Sequence, residues 1–384
     1  MNKMTIGKHC RVMMTVLLIS SAGESRSEEE KTSNKNPIEV SKSIQLPQNL
    51  MAIENSNWGL KTTRMLYGWQ MLEAKGKMPG EGVTIVLADT GISPHPELLA
   101  HNNYPSPIRM DLALDTVDDD NFPDHNFEAI NLIPRHGHGT ETASVIVSPP
   151  GCPSTFKNLC VTGASPAAQL VPVRVSDSVV LSFGRRLAKG IDHAITINAD
   201  IIAIPMGGIG PMNQLRDAIR RANAAGIIVI VAASNFTGPL RIVPAFWDET
   251  ITVGAINDRL KPWVGSAFGR WVDLSAPGVN INHARTEKRD NEIVYEVKLA
   301  QGTSDATALV AGAAALWISY HGKDKLIERF GLDQIPTIFR KLLKEHGVST
   351  PKGFPSKRYG SGVLDVVKLL EAPLPTNTKS QKKM

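Results

Sequence analysis

Five short apolar runs, rich in valine and isoleucine, punctuate the chain: GVTIVLAD (82–89), QLVPVRV (169–175), DIIAIP (200–205), GIIVIVAA (226–233) and TITVGAI (250–256). They are continuous rather than alternating, the pattern of strands covered on both faces. Between them the period changes. In SFGRRLAKGIDHAITINA, Phe183, Leu187, Ile191 and Ile195 recur at every fourth position and lay one apolar stripe along a helix. In PMNQLRDAIRRANAAG, Pro211 sits near the start and Gly226 just past the end, the asymmetry expected of a helix. Strand alternating with helix predicts βαβ units. The expected fold is α/β: a three-layer, doubly wound, mainly parallel sheet with helices on both faces. Such sheets bind ligands beyond the carboxyl ends of their strands.

The two ends of the chain depart from this pattern. Lys3, Lys8 and Arg11 flank or precede the short apolar run VMMTVLLIS, and Ser20-Ser21-Ala22 offers a small-residue cleavage site. That arrangement predicts a secretory signal over residues 1–22, with an ordinary amphipathic N-terminus as the alternative. The run is too short to span a bilayer, and no later stretch is long enough. Residues 23–55 are polar and aperiodic, read as a linker or short pro-segment. Residues 56–372 carry the folded pattern, and 373–384 read as a disordered basic tail. The expected location is secreted or periplasmic.

Composition changes this picture little. Of 384 residues, 42% are hydrophobic and 21% charged, a soluble globular balance, and with only 5% aromatic the core must rest on aliphatic and alanine packing. The formal charge of +5 falls to about −1 once the three basic residues of the leader and Lys379, Lys382 and Lys383 are set aside, so charge gives no nucleic-acid footprint. Cys10 would leave with the signal. Cys152 and Cys160, eight apart in SPPGCPSTFKNLC, then read as a disulfide closing a surface loop. Two free thiols are the other reading. Zinc would need two further ligands nearby, and none is evident.

Three polar stretches stand out against the apolar pattern. GVTIVL runs straight into Ala88-Asp89-Thr90-Gly91, so Asp89 falls where a parallel strand ends. In RHGHGTETASVI, His138 is followed by Gly139 and Thr140 and then by a helical run. In QGTSDATALVAGAAAL, Ser304 heads a helix dense in small apolar residues. Each has a plain structural reading. Serine caps helices, Asp89 also suits a helix cap or a metal carboxylate, and His136 with His138 also suits a metal pair. Together they supply acyl-transfer chemistry: a hydroxyl, an imidazole to take its proton, and a carboxylate to fix that imidazole's tautomer.

Over residues 55–372 the sequence resembles the subtilisin-like serine proteases, the subtilases. DTGISPHPEL, HGHGTETAS and GTSDATALVAGAAAL resemble that family's aspartate, histidine and serine motifs, in the family's order. The resemblance implies Asp89, His138 and Ser304 as the catalytic set, with His136 a bystander. It also implies Asn235, at the end of GIIVIVAASN, as a side-chain donor to an oxyanion. It further places Gly207 and Gly208 on an edge that pairs with extended polypeptide substrates, and Ala232, Ala233 and Ser234 on the wall of the first side-chain pocket. No cofactor is required for the chemistry. The acidic loop DLALDTVDDDNFPDH resembles a calcium-binding stretch of some relatives, with Asp115, Asp118 and Asp120 as oxygen ligands; a solvated acidic loop is the alternative.

The sequence also departs from the family pattern. Asp305 follows the nucleophile where a methionine or small residue is usual, Ala308 and Leu309 replace a proline and a histidine, and Pro205 stands where serine is common. The roughly thirty residues between leader and folded region are short for a folded inhibitory prodomain, so activation is expected to differ from the family norm. The expectation is an exported serine endopeptidase working through an acyl-enzyme. Its rivals are a catalytically impaired peptide-binding scaffold and a peptide ligase or transpeptidase. A nucleotide-binding α/β protein is disfavoured because no Gly-rich phosphate loop with a lysine is present. Nothing in the sequence sets the oligomeric state.

Overall fold

The computed structural model describes residues 46–127, 137–151, 160–181 and 184–376. The leader, most of the expected linker, Phe183, His136, Cys152 and the end of the tail therefore lie outside the described residues. All five apolar runs form strands: β1 (Thr84–Asp89), β3 (Gln169–Arg174), β5 (Ile201–Ile204), β7 (Ile228–Ala232) and β8 (Ile251–Ile256). They are neighbours in a nine-stranded sheet of order β12-β13-β9-β8-β7-β5-β1-β3-β2. The added strands are β2 (Leu114–Asp115), β9 (Leu274–Pro277), β12 (Val348–Ser349) and β13 (Val363–Leu364). Every pairing in this sheet is parallel except β12 with β13.

Strand periodicity sorts the side chains into two cores. Ile85, Leu87, Ile201, Ala203, Ile228 and Ile230 point to one face, and Val86, Ala88, Ile202, Ile204, Val229 and Val231 to the other. Each run is apolar at most positions on both faces because both faces are covered. Among the described residues, seven helices of nine residues or more flank the sheet or precede it: α1 (Gln48–Ser56), α2 (Met65–Glu73), α3 (His138–Val147), α4 (Arg185–Thr196), α5 (Asn213–Ala224), α6 (Thr303–His321) and α7 (Ile335–Glu345). Helices α4 and α5 cover one face; α2, α3, α6 and α7 cover the other. The predicted three-layer α/β architecture is observed.

Helix α6 is buried from Thr303 to Ser319. Its small residues follow from that position. A Cβ on Gly312 would lie 2.3 Å from Ala164 Cβ, far inside van der Waals contact, so larger side chains would force the helix off its neighbours.

Two features differ from the sequence reading. Residues 48–56, inside the stretch read as linker, form α1; none of its residues is buried, and only Leu50 and Ile53 touch the core, so its apolar signal is weak. The second is a long antiparallel hairpin, β10 (Val279–Arg289) with β11 (Glu292–Gln301). It turns at Asp290-Asn291, both at positive φ (49° and 65°), the conformation that suits the twist of a two-residue hairpin. Among the described residues, no helix is long and apolar enough to cross a membrane.

Candidate active site

Asp89 closes β1 at the carboxyl edge of the sheet, flanked by β3 and β5. His138 opens α3, and the chain enters that helix through Gly137 at φ 80°. The strand end and helix start nearly touch: a Cβ on Gly139 would lie 2.0 Å from the Gly91 carbonyl oxygen, so only glycine fits. Ser304 lies in the first turn of α6, behind the extended cap residue Gly302.

These three termini bring the side chains into line. His138 Nδ1 lies 2.8 and 3.0 Å from the two carboxylate oxygens of Asp89, and His138 Nε2 lies 3.0 Å from Ser304 Oγ. Asp89, His138 and Ser304 are 1%, 4% and 8% exposed, so little water competes for the contacts. Because a carboxylate only accepts, Nδ1 carries the hydrogen, which leaves Nε2 as an acceptor facing the hydroxyl. The Thr90 backbone N–H also donates to Asp89 Oδ1 at 2.7 Å. Ser304 Oγ lies 3.1 Å from the Pro205 carbonyl as well, so its single proton has two acceptors within reach. That contact is to the backbone of Pro205, so it does not depend on the proline ring.

Asn235 follows β7 and is exposed. Its Oδ1 accepts from the Thr303 backbone N–H and from Thr303 Oγ1, each at 2.8 Å. A backbone N–H can only donate, which fixes the orientation of the amide and leaves Nδ2 available as a donor. Nδ2 would be 3.3 Å from a Cβ on Gly302, so any larger residue there would crowd it. Ser234, at φ 109°, donates its N–H to Thr303 Oγ1 at 3.3 Å, so Thr303 ties the end of β7 to the head of α6. Ala232 and Ala233 are buried at the end of the same strand.

Gly207 and Gly208 form a short strand, β6, paired in parallel with Val180–Leu181 (β4). The Gly207 N–H donates to the Val179 carbonyl at 3.2 Å, and Gly208 exchanges two 2.9 Å backbone hydrogen bonds with Val243. A Cβ on Gly208 would sit 2.2 Å from the Leu181 carbonyl. The edge expected to receive a substrate strand is therefore already engaged on both sides.

The acidic loop is organised around an arginine. Arg174, the last residue of β3, places Nη1 2.6 Å from Asp115 Oδ2 and 2.5 Å from Asp118 Oδ2, and Nη2 2.5 Å from Asp177. Asp115 Oδ1 accepts from the Val117 and Asp118 backbone N–H groups, and Asp120 Oδ1 from that of Phe122. The guanidinium thus occupies the place a cation would need, and these oxygens do not fit a calcium ion at Asp115, Asp118 and Asp120. No group of three or more His, Cys, Asp or Glu side chains arranged for a metal occurs among the described residues.

The residues beside the line were less legible. Asp305 is 5% exposed, and its Oδ1 lies 3.8 Å from Nδ1 of His283 on β10. His283 Nε2 lies 3.8 Å from Oε1 of Glu141 on α3. His283 carries no motif signal, because a hairpin rich in charged residues hides which positions turn inward; Glu141 lies inside the histidine motif, but nothing in that string marks its partner. On the loop after β1, burial lowers the His95 imidazole to about 4, with the Glu296 carbonyl partly offsetting it. Burial likewise raises the Glu97 carboxyl to about 8.

A parallel sheet carrying a carboxylate, an imidazole and a hydroxyl at adjacent strand and helix ends defines an acyl-transfer type of site. The profile of the Subtilase family matches residues 80–355, and the chain belongs to that family. It is 32% identical over 238 residues to a thermostable alkaline protease of Halalkalibacterium halodurans, covering 62% of this chain and 57% of that protein. It is 28% identical over 257 residues to thermitase of Thermoactinomyces vulgaris, covering 66% and 82%. It is 35% identical over 188 residues to subtilisin E of Bacillus subtilis, covering 48% and 46%. The matched segment thus spans about half the length of the first curated relatives. Among solved structures, a protease of Pseudoalteromonas arctica superposes with a TM-score of 0.62 at 21% identity, covering 79% of this chain and 93% of that one. MycP1 without its N-terminal propeptide superposes at 0.59 and 23%, covering 84% and 99%. These two likenesses establish the fold.

Proposed function

We propose that the chain is an exported serine endopeptidase that cleaves polypeptides through an acyl-enzyme. Ser304 is the nucleophile, His138 the general base, Asp89 the carboxylate that orients it, and Asn235 an oxyanion donor. The observation that carries this reading is the unbroken line from Asp89 Oδ1 through His138 to Ser304 Oγ, with contacts of 2.8 and 3.0 Å in a nearly dry setting.

The steps follow from that line. His138 Nε2 takes the Ser304 proton as Oγ attacks the scissile carbonyl carbon. Negative charge builds on the carbonyl oxygen and is met by Asn235 Nδ2 and by the Ser304 backbone N–H, one of the orphan donors at a helix start. Asp89 stabilises the imidazolium, which then gives its proton to the leaving amine. Water, activated by the same imidazole, hydrolyses the ester. Each step uses groups that this chain supplies.

In this reading an extended substrate adds a strand beside Gly207 and Gly208. The Gly207 N–H must then leave the Val179 carbonyl to serve the substrate. Ala232, Ala233 and Ser234 form the pocket wall, and their small size favours a large apolar side chain. Export rests on the leader at 1–22, with a secreted or periplasmic destination. A Cys152–Cys160 bridge closing a surface loop belongs to the same reading.

A fluorophosphonate probe tests the assignment. The wild-type protein should label covalently and cleave a peptide library. Ser304→Ala should lose both, with turnover falling about 10⁵- to 10⁶-fold. A folded wild type that neither labels nor cleaves would leave the peptide-binding scaffold as the better reading.

A further inference from the structure

The proposed reacting groups stand at the heads of two helices, His138 on α3 and Ser304 on α6. A second buried histidine sits between those helices. His283, on β10, is 3% exposed. Its Nε2 lies 3.8 Å from Glu141 Oε1, three residues along α3 from His138. Its Nδ1 lies 3.8 Å from Asp305 Oδ1, the residue after Ser304. Both carboxylates are buried, Glu141 at 4% and Asp305 at 5% exposure.

The remaining charges around the ring are unevenly shared. Arg285, on the same strand, places Nη1 3.3 Å from Glu141 Oε1. Lys298, the register partner of His283 on β11, turns its ammonium to Glu287 and Glu296. Glu141 thus has the Arg285 guanidinium as well as the His283 ring beside it. Asp305 has His283 as its one ion-pair partner among the described residues. Carboxylates accept and never donate, so a ring with one N–H can serve only one of them; the doubly protonated ring faces both with a donor.

We propose that His283 is a positioning residue for the reaction, an imidazolium bridge that holds α3 to α6 and cancels the buried charge of Asp305 beside the nucleophile. The proposal rests on Ser304 and His138 being the nucleophile and base. Attack builds negative charge on the substrate oxygen close to the start of α6. An uncompensated carboxylate one residue from Ser304 opposes that charge, and the low local dielectric magnifies the effect. Paired with the imidazolium, Asp305 is neutralised. Where the ring is removed, the Asp305 carboxylate has no counter-charge and turnover falls, while substrate binding is unaffected.

The test measures kcat and KM for the wild type, His283→Gln, Asp305→Asn and the double variant, with fluorophosphonate labelling of each. His283→Gln should lower kcat about 10- to 100-fold near neutral pH and leave KM within about threefold. Adding Asp305→Asn should restore kcat to within about threefold of wild type, because it removes the charge that His283 no longer cancels. An unchanged kcat in His283→Gln, or a double variant no better than that single one, overturns the proposal. If His283→Gln does not fold, the double variant decides: kcat within about threefold of wild type supports the bridge, and a loss of about tenfold or more overturns it. A wild type that neither labels nor turns over defeats the serine reading and this inference together. A labelled, active wild type whose kcat survives in His283→Gln defeats this inference alone.

Discussion

Two buried histidines face carboxylates in this molecule, and they are held in different ways. His138 and His283 are almost equally buried, at 4% and 3% exposure, so burial does not distinguish them. The placing of acceptors does. His138 has a carboxylate on Nδ1 alone, at hydrogen-bonding distance, and its Nε2 is left to a hydroxyl. His283 has a carboxylate beyond each nitrogen, at 3.8 Å, and no hydroxyl in line. One-sided pairing fixes a neutral tautomer and yields a base; two-sided pairing suits a standing charge. The same residue types thus give two roles according to whether one ring nitrogen or both face a carboxylate.

Removing one carboxylate from each histidine is the sharpest way to break this comparison. In Asp89→Asn the amide presents a donor as readily as an acceptor, so His138 can rest in the tautomer that faces Ser304 with an N–H. Turnover should fall about 10⁴-fold with little change in KM. Glu141→Gln leaves Asp305 on the other nitrogen of His283, and turnover should fall by less than about tenfold. Steady-state kinetics on both variants, each checked for folding by thermal denaturation, decide the matter. Equal losses would mean that the two carboxylates do the same work.

Asn235 sharpens the comparison from the oxyanion side. Its Oδ1 holds Thr303, and its Nδ2 is left for the substrate. Asn235→Asp keeps the acceptor and removes the donor, so the head of α6 should stay in place. Turnover should fall about 100- to 1000-fold, with a melting temperature close to wild type. A large loss of stability with intact turnover would show that the amide is a structural tie and no more.

The uneven legibility of the site has a physical cause. Asp89, His138 and Ser304 were readable because each stands where an element begins or ends, beside a glycine that close approach requires. Gly139, pressed against the Gly91 carbonyl, is the clearest case. The parallel strands were readable because burial on both faces makes most positions apolar. His283 was not, since a two-stranded ribbon with charges on both faces has no apolar period to mark its inner side. Asp305 was legible as a departure but not in its effect, because its partner comes from a strand about twenty residues earlier in the chain. The acidic loop has two readings in sequence for a related reason. Closely spaced aspartates look the same whether they surround a cation or the guanidinium of Arg174, which arrives from β3.

A third buried histidine makes the smallest and most selective test of the rule. His95, 2% exposed, meets backbone groups through both ring nitrogens: its Nδ1 accepts from the Glu97 backbone N–H at 3.1 Å, and its Nε2 meets the Glu296 carbonyl at 3.1 Å. The neutral ring satisfies both partners. A proton on Nδ1 would face a donor with a donor, and burial already disfavours the charge, lowering the imidazole from 6.5 to about 4. Above pH 6.5 folded and unfolded chains both carry the neutral ring, and His95 adds no pH dependence. As the pH falls from 6.5 towards 4, the unfolded chain takes up a proton that the folded one refuses, so stability declines across that window. The loss should amount to roughly 2–3 kcal/mol. His95→Asn keeps a side-chain acceptor to cap the turn at Pro96–Leu98 but cannot titrate. Thermal denaturation of both proteins between pH 7 and 4 should show the wild type losing stability faster on acidification. Parallel curves would mean that His95 charges as easily inside the fold as outside it, and that the pairing of ring nitrogens does not govern the charge of buried histidines here.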